Sequence, residues 1–389
     1  MKSFVRIVAI VLAVLCGLCS ISLAESPLNH IGFALLEQQY DGEHNCAISP
    51  VSLALALSMA SEGAAGETKT QIDALTGITD AETASSLMVK LQDQGLKIAN
   101  AVFVADGVTL QETWRSTIEE KYDGKVFPLG EQEALDVWVC EKTDHLLDKA
   151  PSVPNKNILL ALMNAVAMDL QWEVPFDPIF TQDATFYAPN GDESIPFMEN
   201  AYTGHMIYGE QTGTQMLYGE RDGAQMLRLN YADSEMFLLL VLPEEGSMKS
   251  LLHALTEEGF GWFDCMMETD REIHLWLPKV DITAHNDLTH SLQSAGMSTA
   301  FTDVADFSGI AEEPLMISNV CQDVRIQFDE ESTRATAITM LMMGGGAGPM
   351  LVSPIRMRLD RPFVALIVDE ETETVCFAAV IANPLDTEE

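Results

Sequence analysis

Residues 45–72 read NCAISPVSLALALSMASEGAAGETKTQI. The Ser49-Pro50 pair ends a short apolar run, because proline has no amide proton for a strand ladder and suits the first turn of a helix. Residues 51–60 are nearly all Ala, Leu, Met or Ser, and a helix that is apolar on every face has to be buried. The stretch therefore predicts a short strand, a central buried helix and, after Gly63, a second helix with Thr68 as its cap.

The same stretch resembles the serpin family in its order of Asn, Ser-Pro-x-Ser, an apolar helix and Gly-Ala-x-Gly-x-Thr-x-x-Gln-Ile. Further family landmarks follow in order and cover essentially the whole chain after its first 24 residues: Asn164 to Trp172 with Phe176 and Thr181, Leu277-Pro278-Lys279, residues 305–310, Asp360-Arg361-Pro362-Phe363, Phe377 and Asn383-Pro384. The resemblance implies an α+β serpin fold with three β-sheets, about eight or nine helices and an exposed reactive-centre loop.

The first 24 residues predict an export signal. Lys2 and Arg6 precede an apolar run over residues 7–18, and Ser22-Leu23-Ala24 offers small residues at a cleavage site. The run is short for a membrane span, and an uncleaved anchor is the alternative. We therefore expect a secreted, extracellular protein in which residues 1–24 are removed and residues 25–389 form a single serpin domain.

Charge limits the partners that this chain can bind. The formal net charge is -38, which repels nucleic acid and anionic lipid and favours cationic partners. We expect no nucleic-acid partner, and no membrane contact once the signal is removed.

Five cysteines follow the signal, and their wide spacing predicts free, mostly core thiols rather than a disulfide framework: Cys46, Cys140, Cys265, Cys321 and Cys376.

The sequence lacks the motifs of the common enzyme classes. It has no G-x-S-x-G elbow, no H-E-x-x-H helix and no G-x-x-x-x-G-K-[ST] loop. The glycines at 344–346 and 348 are not followed by the lysine of a phosphate-binding loop, and the eight histidines show no metal-ligand spacing. The sequence therefore predicts a protein that is not an enzyme and needs no metal or other cofactor.

A strand-like segment that opens into a loop is the most unusual feature of the chain. Residues 329–340 read DEESTRATAITM, and residues 341–350 read LMMGGGAGPM. The alternating inward side chains are small, so the segment fits between strands that already touch. The family resemblance implies that a loop at about residues 330–355 is cleaved by a protease and then inserted into the main sheet. It places the hinge of that movement at Glu330, Glu331, Ser332, Thr333, Arg334, Ala335, Thr336 and Ala337.

The resemblance implies a monomeric inhibitor that traps a target serine protease irreversibly as a covalent acyl complex. Residues 335–355 contain no Lys, Arg, Asp, Glu or aromatic residue, so we expect proteases with small or apolar specificity pockets, of the elastase or subtilisin kind. Family spacing from Glu330 places the reactive bond between Gly346 and Ala347. Because the loop is long, the alternatives are Met343, Met350 and Leu351. Two other functions stay open: a non-inhibitory serpin that binds or carries a ligand, and a cross-class inhibitor of cysteine proteases.

Two polar groups are assigned by motif match. At the breach, where the main sheet receives the loop, Lys279 is expected to pair with Glu330 above Trp172. The shutter, the cluster under the strands that part, is expected to contain Asn45, Ser49, Ser52, Asn164 and Gln322.

Three positions depart from the family pattern. Ser332 replaces the hinge glycine, which gives the backbone less conformational freedom. Arg334 replaces an acidic residue, at a position that alternation turns outward. Gln322 replaces a histidine, so this part of the cluster cannot protonate near neutral pH. None of the three puts a large side chain on the inward face of the hinge, which favours an inhibitor.

An internal repeat is separate from the family pattern. Residues 208–217 read YGEQTGTQML, and residues 218–227 read YGERDGAQML. Each copy has a strand-like end and a glycine turn, so the repeat predicts a lengthened hairpin, with a partner-binding surface as the alternative.

Overall fold

The computed structural model describes residues 26–147, 149, 159–202, 206–207, 210–211, 216–330 and 353–385. Several predictions from the sequence lie outside these residues. They are the export signal, the hinge from Glu331 to Ala337, and the reactive-bond candidates Gly346, Ala347, Met343, Met350 and Leu351.

Within the described residues, eight α-helices and three short 3-10 helices form. The α-helices are α1 (Pro27–Gln39), α2 (Pro50–Ser61), α3 (Gly66–Thr76), α4 (Ala81–Asp93), α5 (Glu112–Lys121), α6 (Gln132–Lys142), α7 (Met248–Glu258) and α8 (Thr289–Ser294). The 3-10 helices span Pro178–Phe180, Gly259–Phe263 and Thr299–Phe301. In the part of the chain covered by the structure, none of these helices has the length and apolar character needed to cross a membrane.

The described part of the chain also contains eighteen strands. They are β1 (Cys46–Ile48), β2 (Leu96–Val104), β3 (Lys125–Pro128), β4 (Leu160–Met168), β5 (Gln182–Ala188), β6 (Gly191–Tyr202), β7 (Met206–Ile207), β8 (Glu210–Gln211), β9 (Met216–Arg221), β10 (Ala224–Asn230), β11 (Met236–Leu242), β12 (Met267–Thr269), β13 (Ile273–Pro278), β14 (Val280–Asp287), β15 (Cys321–Phe328), β16 (Ile355–Arg358), β17 (Phe363–Asp369) and β18 (Thr374–Ile381). The mixture of helices and largely antiparallel sheets confirms the predicted α+β class.

The predicted central helix is α2, and all its residues except Ala56 are buried. Ser49 caps it, because its Oγ accepts the backbone amide of Ser52. The next helix, α3, begins at Gly66, so the prediction that Thr68 caps it is wrong. Thr68 is buried inside α3, where its Oγ1 accepts a hydrogen bond from the amide of Asp306 at 3.0 Å. A contact from a distant segment thus takes the place of a local cap.

Two sheets form most of the rigid core. The larger has seven strands in the order β1-β18-β17-β11-β10-β9-β12, and every residue of β11, β17 and β18 is buried. Such strands are covered on both faces, which explains their unbroken apolar sequences. The smaller has four strands in the order β16-β13-β6-β5, with β16 and β5 at its two edges.

The sheet expected to receive the loop consists of two parts. Strands β3-β2-β4 form one part and β14-β15 form the other, and no ladder joins β4 to β15 within the described residues. Both strands nevertheless lie against the N-terminal turn of α2, through Asn164 of β4 and Gln322 of β15. We call the two unjoined edges the seam. The described strands form five sheets rather than the three expected. The seam divides one expected sheet into two, and the short β7-β8 pair adds another.

The second copy of the tandem repeat forms the β9-β10 hairpin. Its turn is Asp222-Gly223, with φ values of 52° and 78°, the left-handed pair that a tight two-residue hairpin turn requires. The predicted hairpin with a glycine turn is therefore confirmed for this copy. The first copy is described only in part and contributes β8 and the first two residues of β9.

Candidate functional site at the base of the loop

Three contacts hold Glu330, the last described residue before the loop. Its Oε2 lies 2.7 Å from Nζ of Lys279, which stands between β13 and β14. Its Oε1 accepts a hydrogen bond from Oγ1 of Thr181 at 2.9 Å, and its backbone carbonyl accepts the amide of Phe176 at 2.8 Å. Two separate parts of the fold, the segment 176–181 and the junction of β13 and β14, thus hold the start of the loop.

Trp172 packs directly beneath this point. Its Nε1 donates to the carbonyl of Asp329 at 3.0 Å, and only 3% of the residue is exposed. Its ring stacks on Tyr231 with centroids 5.0 Å apart and meets Phe176 edge-on at 6.2 Å. Phe328 adds a tilted contact at 6.1 Å. The structure therefore brings together the three residues expected at the breach, on an aromatic cluster that keeps them in place.

The carboxyl group of Glu330 is ionised at neutral pH. Burial opposes its ionisation, but the hydrogen bonds from Lys279 and Thr181 outweigh burial and place its pKa below the ordinary value for glutamate. The contact with Lys279 is therefore a charge-assisted one, which is stronger than a bond between neutral groups.

Two serines at the start of α2 each bind a different side of the seam. The amide of Ser49 donates to Oε1 of Gln322 at 3.0 Å, and Nε2 of Gln322 donates back to the carbonyl of Ser49 at 2.8 Å. Ser52 Oγ donates instead to the carbonyl of Asn164 at 3.2 Å. Since Gln322 belongs to β15 and Asn164 to β4, one helix turn connects two strands that no ladder joins within the described residues.

The structure places Asn45 outside this cluster. Its Nδ2 donates to the carbonyl of Asn383 at 2.7 Å, and its Oδ1 accepts the amides of Ala382 and Asn383, each at 2.8 Å. Asn45 therefore fastens the C-terminal segment to the start of β1. It stands four residues before Ser49, and the short strand β1 leads away from it towards α2.

Two buried asparagines complete the polar network and were not predicted. Asn100 on β2 is fully buried; its Oδ1 accepts from Asn164 and its Nδ2 donates to the carbonyl of Tyr122, both at 2.7 Å. Asn286 on β14 donates to the carbonyl of Ala47 at 2.7 Å. Both leave a trace in the sequence: Asn100 is an amide just before the apolar run AVFV, and Asn286 continues the inward alternation of β14.

Within the described part of the chain, this site has no metal-binding group, and the two buried thiols of the protein are shielded from reaction. Among the residues that the structure describes, no three His, Cys, Asp or Glu side chains form a group able to hold a metal ion. The five described cysteines are free, and two of them, Cys46 and Cys376, are buried. Burial raises the pKa of the Cys46 thiol to about 12, so it stays protonated and unreactive.

The family model for serpins, described as serine protease inhibitors, matches residues 26–384. The chain is a serpin. Curated relatives of this serpin include both uncharacterised and characterised proteins. It is 29% identical to an uncharacterised serpin-like protein of Thermococcus kodakarensis, over 92% of this chain and 85% of the relative. It is also 28% identical to the corticosteroid-binding globulin of Saimiri sciureus, over 87% and 85% of the two chains, and 28% identical to a serine proteinase inhibitor of Cavia porcellus, over 89% and 85%.

Solved structures share the fold of this serpin. Native tengpin, a thermophilic serpin, matches with a TM-score of 0.79 and 24% identity over 92% of this chain and 93% of tengpin. Human thyroxine-binding globulin also matches with a TM-score of 0.79, at 23% identity over 93% of this chain and 98% of the globulin. At these identities the structural likeness concerns the fold alone.

Proposed function

We propose that this serpin is a secreted, monomeric suicide inhibitor that traps serine proteases with small or apolar specificity pockets. The observation that carries the proposal is the seam. Strands β4 and β15 share no ladder in the described part of the chain. Glu330 is held in place two residues after the C-terminal end of β15. A cleaved loop that continues from Glu330 therefore has unpaired strand edges on which to form hydrogen bonds.

The free energy of such an insertion is large enough to drive the trap. Roughly fourteen inserted residues, at about 1 kcal/mol net for each hydrogen bond, contribute on the order of 10 kcal/mol. At about 3.3 Å per residue, sixteen inserted residues carry the acylated protease roughly 50 Å along the molecule. Dragging the acyl bond out of its oxyanion hole removes one of the largest catalytic contributions, so deacylation stalls.

The composition of the loop supports the choice of target. Residues 335–355 lack charged and aromatic side chains, so a protease with an acidic or basic specificity pocket has no side chain to bind. We place the reactive bond between Gly346 and Ala347, with Met343, Met350 and Leu351 as the neighbouring alternatives. The small inward residues of the hinge and of the segment that follows it suit insertion beside the buried side chains of the seam: Thr333, Ala335, Ala337 and Thr339.

The N-terminal sequence supports export. Its two basic residues, apolar run and small-residue site fit a signal that is cleaved after Ala24, which leaves residues 25–389 as one serpin domain.

The experiment mixes the mature protein with pancreatic elastase and with subtilisin, followed by denaturing gels and mass spectrometry. We expect a band at the summed mass that survives denaturation and a released peptide that begins after Gly346 or one of its alternatives. Cleavage without a covalent complex contradicts trapping. Heating the cleaved product then tests insertion: a large rise in the unfolding temperature supports it, and no rise rejects the inhibitory mechanism.

A ligand-binding serpin is the second candidate, because a corticosteroid-binding globulin and a proteinase inhibitor are equally similar to this chain at 28% identity. A binding protein does not need its cleaved loop to insert, so the heating step separates the two functions. Adding a papain-like cysteine protease to the mixture tests the third function, cross-class inhibition, through the same covalent band.

A further inference from the structure

The corner formed by residues 172–181 has two different faces. Its inward face includes Trp172, Phe176 and Thr181, which hold the base of the loop as described above. Its outward face presents three apolar side chains to solvent: Val174, Ile179 and Phe180, which are 37%, 75% and 48% exposed. We call these three residues the corner patch. They form no part of the seam and are not needed to hold Glu330.

The backbone under the corner patch is well ordered by local bonds. Ile179 and Phe180 lie in the 3-10 turn Pro178–Phe180, and Oδ1 of Asp177 accepts the amide of Ile179 at 3.0 Å. The proline fixes one backbone angle and the aspartate caps the turn. A contact surface that is already ordered loses little conformational entropy when a partner binds, so exposed apolar side chains on such a turn are well suited to recognition.

The chain segment that carries the corner patch has charges of one sign only. No Lys or Arg occurs at residues 157–220. Glu173 and Asp183, on the two sides of the patch, are both exposed. Lys279 reaches the inward face of the corner, but Glu330 already neutralises its charge there. The partner that complements this surface has an apolar patch with a basic rim.

The corner lies where the loop begins and within reach of where it ends. Thr181, which directly follows Phe180, is bonded to Glu330. At the other end, Arg271 donates to the carbonyl of Ser353 at 2.9 Å just before β16. Strands β16 and β5 are the two edges of one four-stranded sheet, so about 14 Å separates them across the sheet. Gln182 at the start of β5 lies level with Pro278 at the end of β13, whereas Ile355 at the start of β16 pairs with Ile273 at the start of β13, which adds about 17 Å along the strands. The two described ends of the loop, Glu330 and Ser353, therefore lie roughly 22 Å apart.

A protein bound to the loop has to extend beyond it. Stable protein interfaces cover about 800 Å² on each partner, which is roughly a patch 30 Å across and wider than the distance between the two described ends of the loop. A protease seated on this loop therefore reaches the corner. We infer that the corner patch is a docking surface for the target protease, contacted by a basic-rimmed apolar surface outside the protease's active-site cleft. This inference rests on the proposed function.

The test compares the double substitution Ile179→Ser with Phe180→Ser against the wild-type protein. The matched control replaces Val304 and Met316 by serine; these residues are 73% and 56% exposed and lie outside the corner. The measurement is the second-order rate constant for loop cleavage by subtilisin and by elastase, followed by mass spectrometry. We expect the rate constant to fall by about tenfold in the corner variant and to stay unchanged in the control, because serine removes the apolar area that the protease would cover at these two side chains.

The cleavage rate is measured whether or not the protease is trapped. If the corner variant is cleaved more slowly than wild type but neither protein forms a covalent complex, the trapping mechanism is rejected and the docking surface is retained. Equal rates for the corner variant and wild type, or no cleavage by either protease, overturn the docking inference. Matching unfolding temperatures of all three proteins show that the substitutions leave the fold intact.

Two other occupants of the corner patch are separate outcomes. Corner-dependent binding to phosphatidylcholine vesicles, with an unchanged cleavage rate, assigns the patch to lipid and overturns the protease assignment. Corner-dependent dimers in sedimentation, again with an unchanged cleavage rate, assign it to a second copy of the chain and overturn the inference equally.

Discussion

Nζ of Lys279 and Oε2 of Glu330 lie 2.7 Å apart, with side chains 35% and 13% exposed. An exposed ion pair on its own contributes less than about 1 kcal/mol. This pair differs because the same carboxylate accepts a second hydrogen bond from Thr181, and the backbone of Glu330 is held by Phe176. Together these contacts keep the start of the loop at the end of β15 before any cleavage occurs.

Replacing Lys279 by Met loosens this attachment. We expect the midpoint of thermal unfolding to fall by about 2 °C, because a partly buried carboxylate loses its charged partner, and spontaneous insertion of the uncleaved loop to become faster. Calorimetry and native gels after incubation at elevated temperature measure the two effects. Lys97→Met is the control, since its partner Asp144 is well exposed. Equal behaviour of the two variants contradicts a special role for Lys279.

The attachment also depends on pH. The pKa of Glu330 is lower in the folded state than in the unfolded chain, where glutamate titrates near pH 4.3. Its stabilising contribution is therefore complete above about pH 4.3 and is lost as the pH falls through the lowered pKa. We expect wild type to unfold at a higher temperature than Glu330→Gln at pH 6, and the difference to shrink as the pH falls below about 4.3. A difference that is constant with pH contradicts the assignment.

Gln322 makes the link between Ser49 and β15 insensitive to pH. Replacing it by His introduces a buried group whose imidazolium form is disfavoured, so its pKa in the folded state lies below the value of about 6.5 in the unfolded chain. The stability of this variant is retained above pH 6.5 and falls as the pH decreases below it. Thermal unfolding between pH 7.5 and 5 measures the slope. Gln182→His, at an exposed position of β5, is the control and is expected to follow wild type.

The inward face of the hinge sets the outcome of the protease reaction. Alternation turns Ala337 towards the core of the inserted sheet and Thr336 towards solvent. An arginine at 337 has to be buried without a partner, which slows insertion, whereas an arginine at 336 stays in water. We expect Ala337→Arg to be cleaved with little covalent complex and Thr336→Arg to trap protease like wild type. Densitometry of the gel bands measures the ratio of covalent complex to cleaved inhibitor for each variant. Equal ratios for the two variants exclude the assumed register.

Motif matching predicted the residues around the loop base to different extents. Lys279, Trp172 and Glu330 were assigned from the family resemblance, and the structure brings them together just beyond the ends of β13, β4 and β15. Asn45 was grouped with the wrong partners, since a side chain close in sequence to Ser49 is carried away by the intervening strand β1. Asn100 and Asn286 were missed because a polar residue inside an apolar strand has no partner that can be identified from sequence alone.

The family resemblance of the sequence implied the α+β class, and the sequence by itself determined the buried helix α2, its start after Ser49 and the small residues that follow Glu330. These features depend on local chemistry: residue size, the period of apolar side chains, and the backbone preferences of proline and serine. Only the tertiary structure decided that Ser49 and Ser52 bind opposite sides of the seam, and that Val174, Ile179 and Phe180 remain in solvent beside the loop base. Those relationships join residues that are distant in sequence, and their geometry exists only after the strands and helices have packed together.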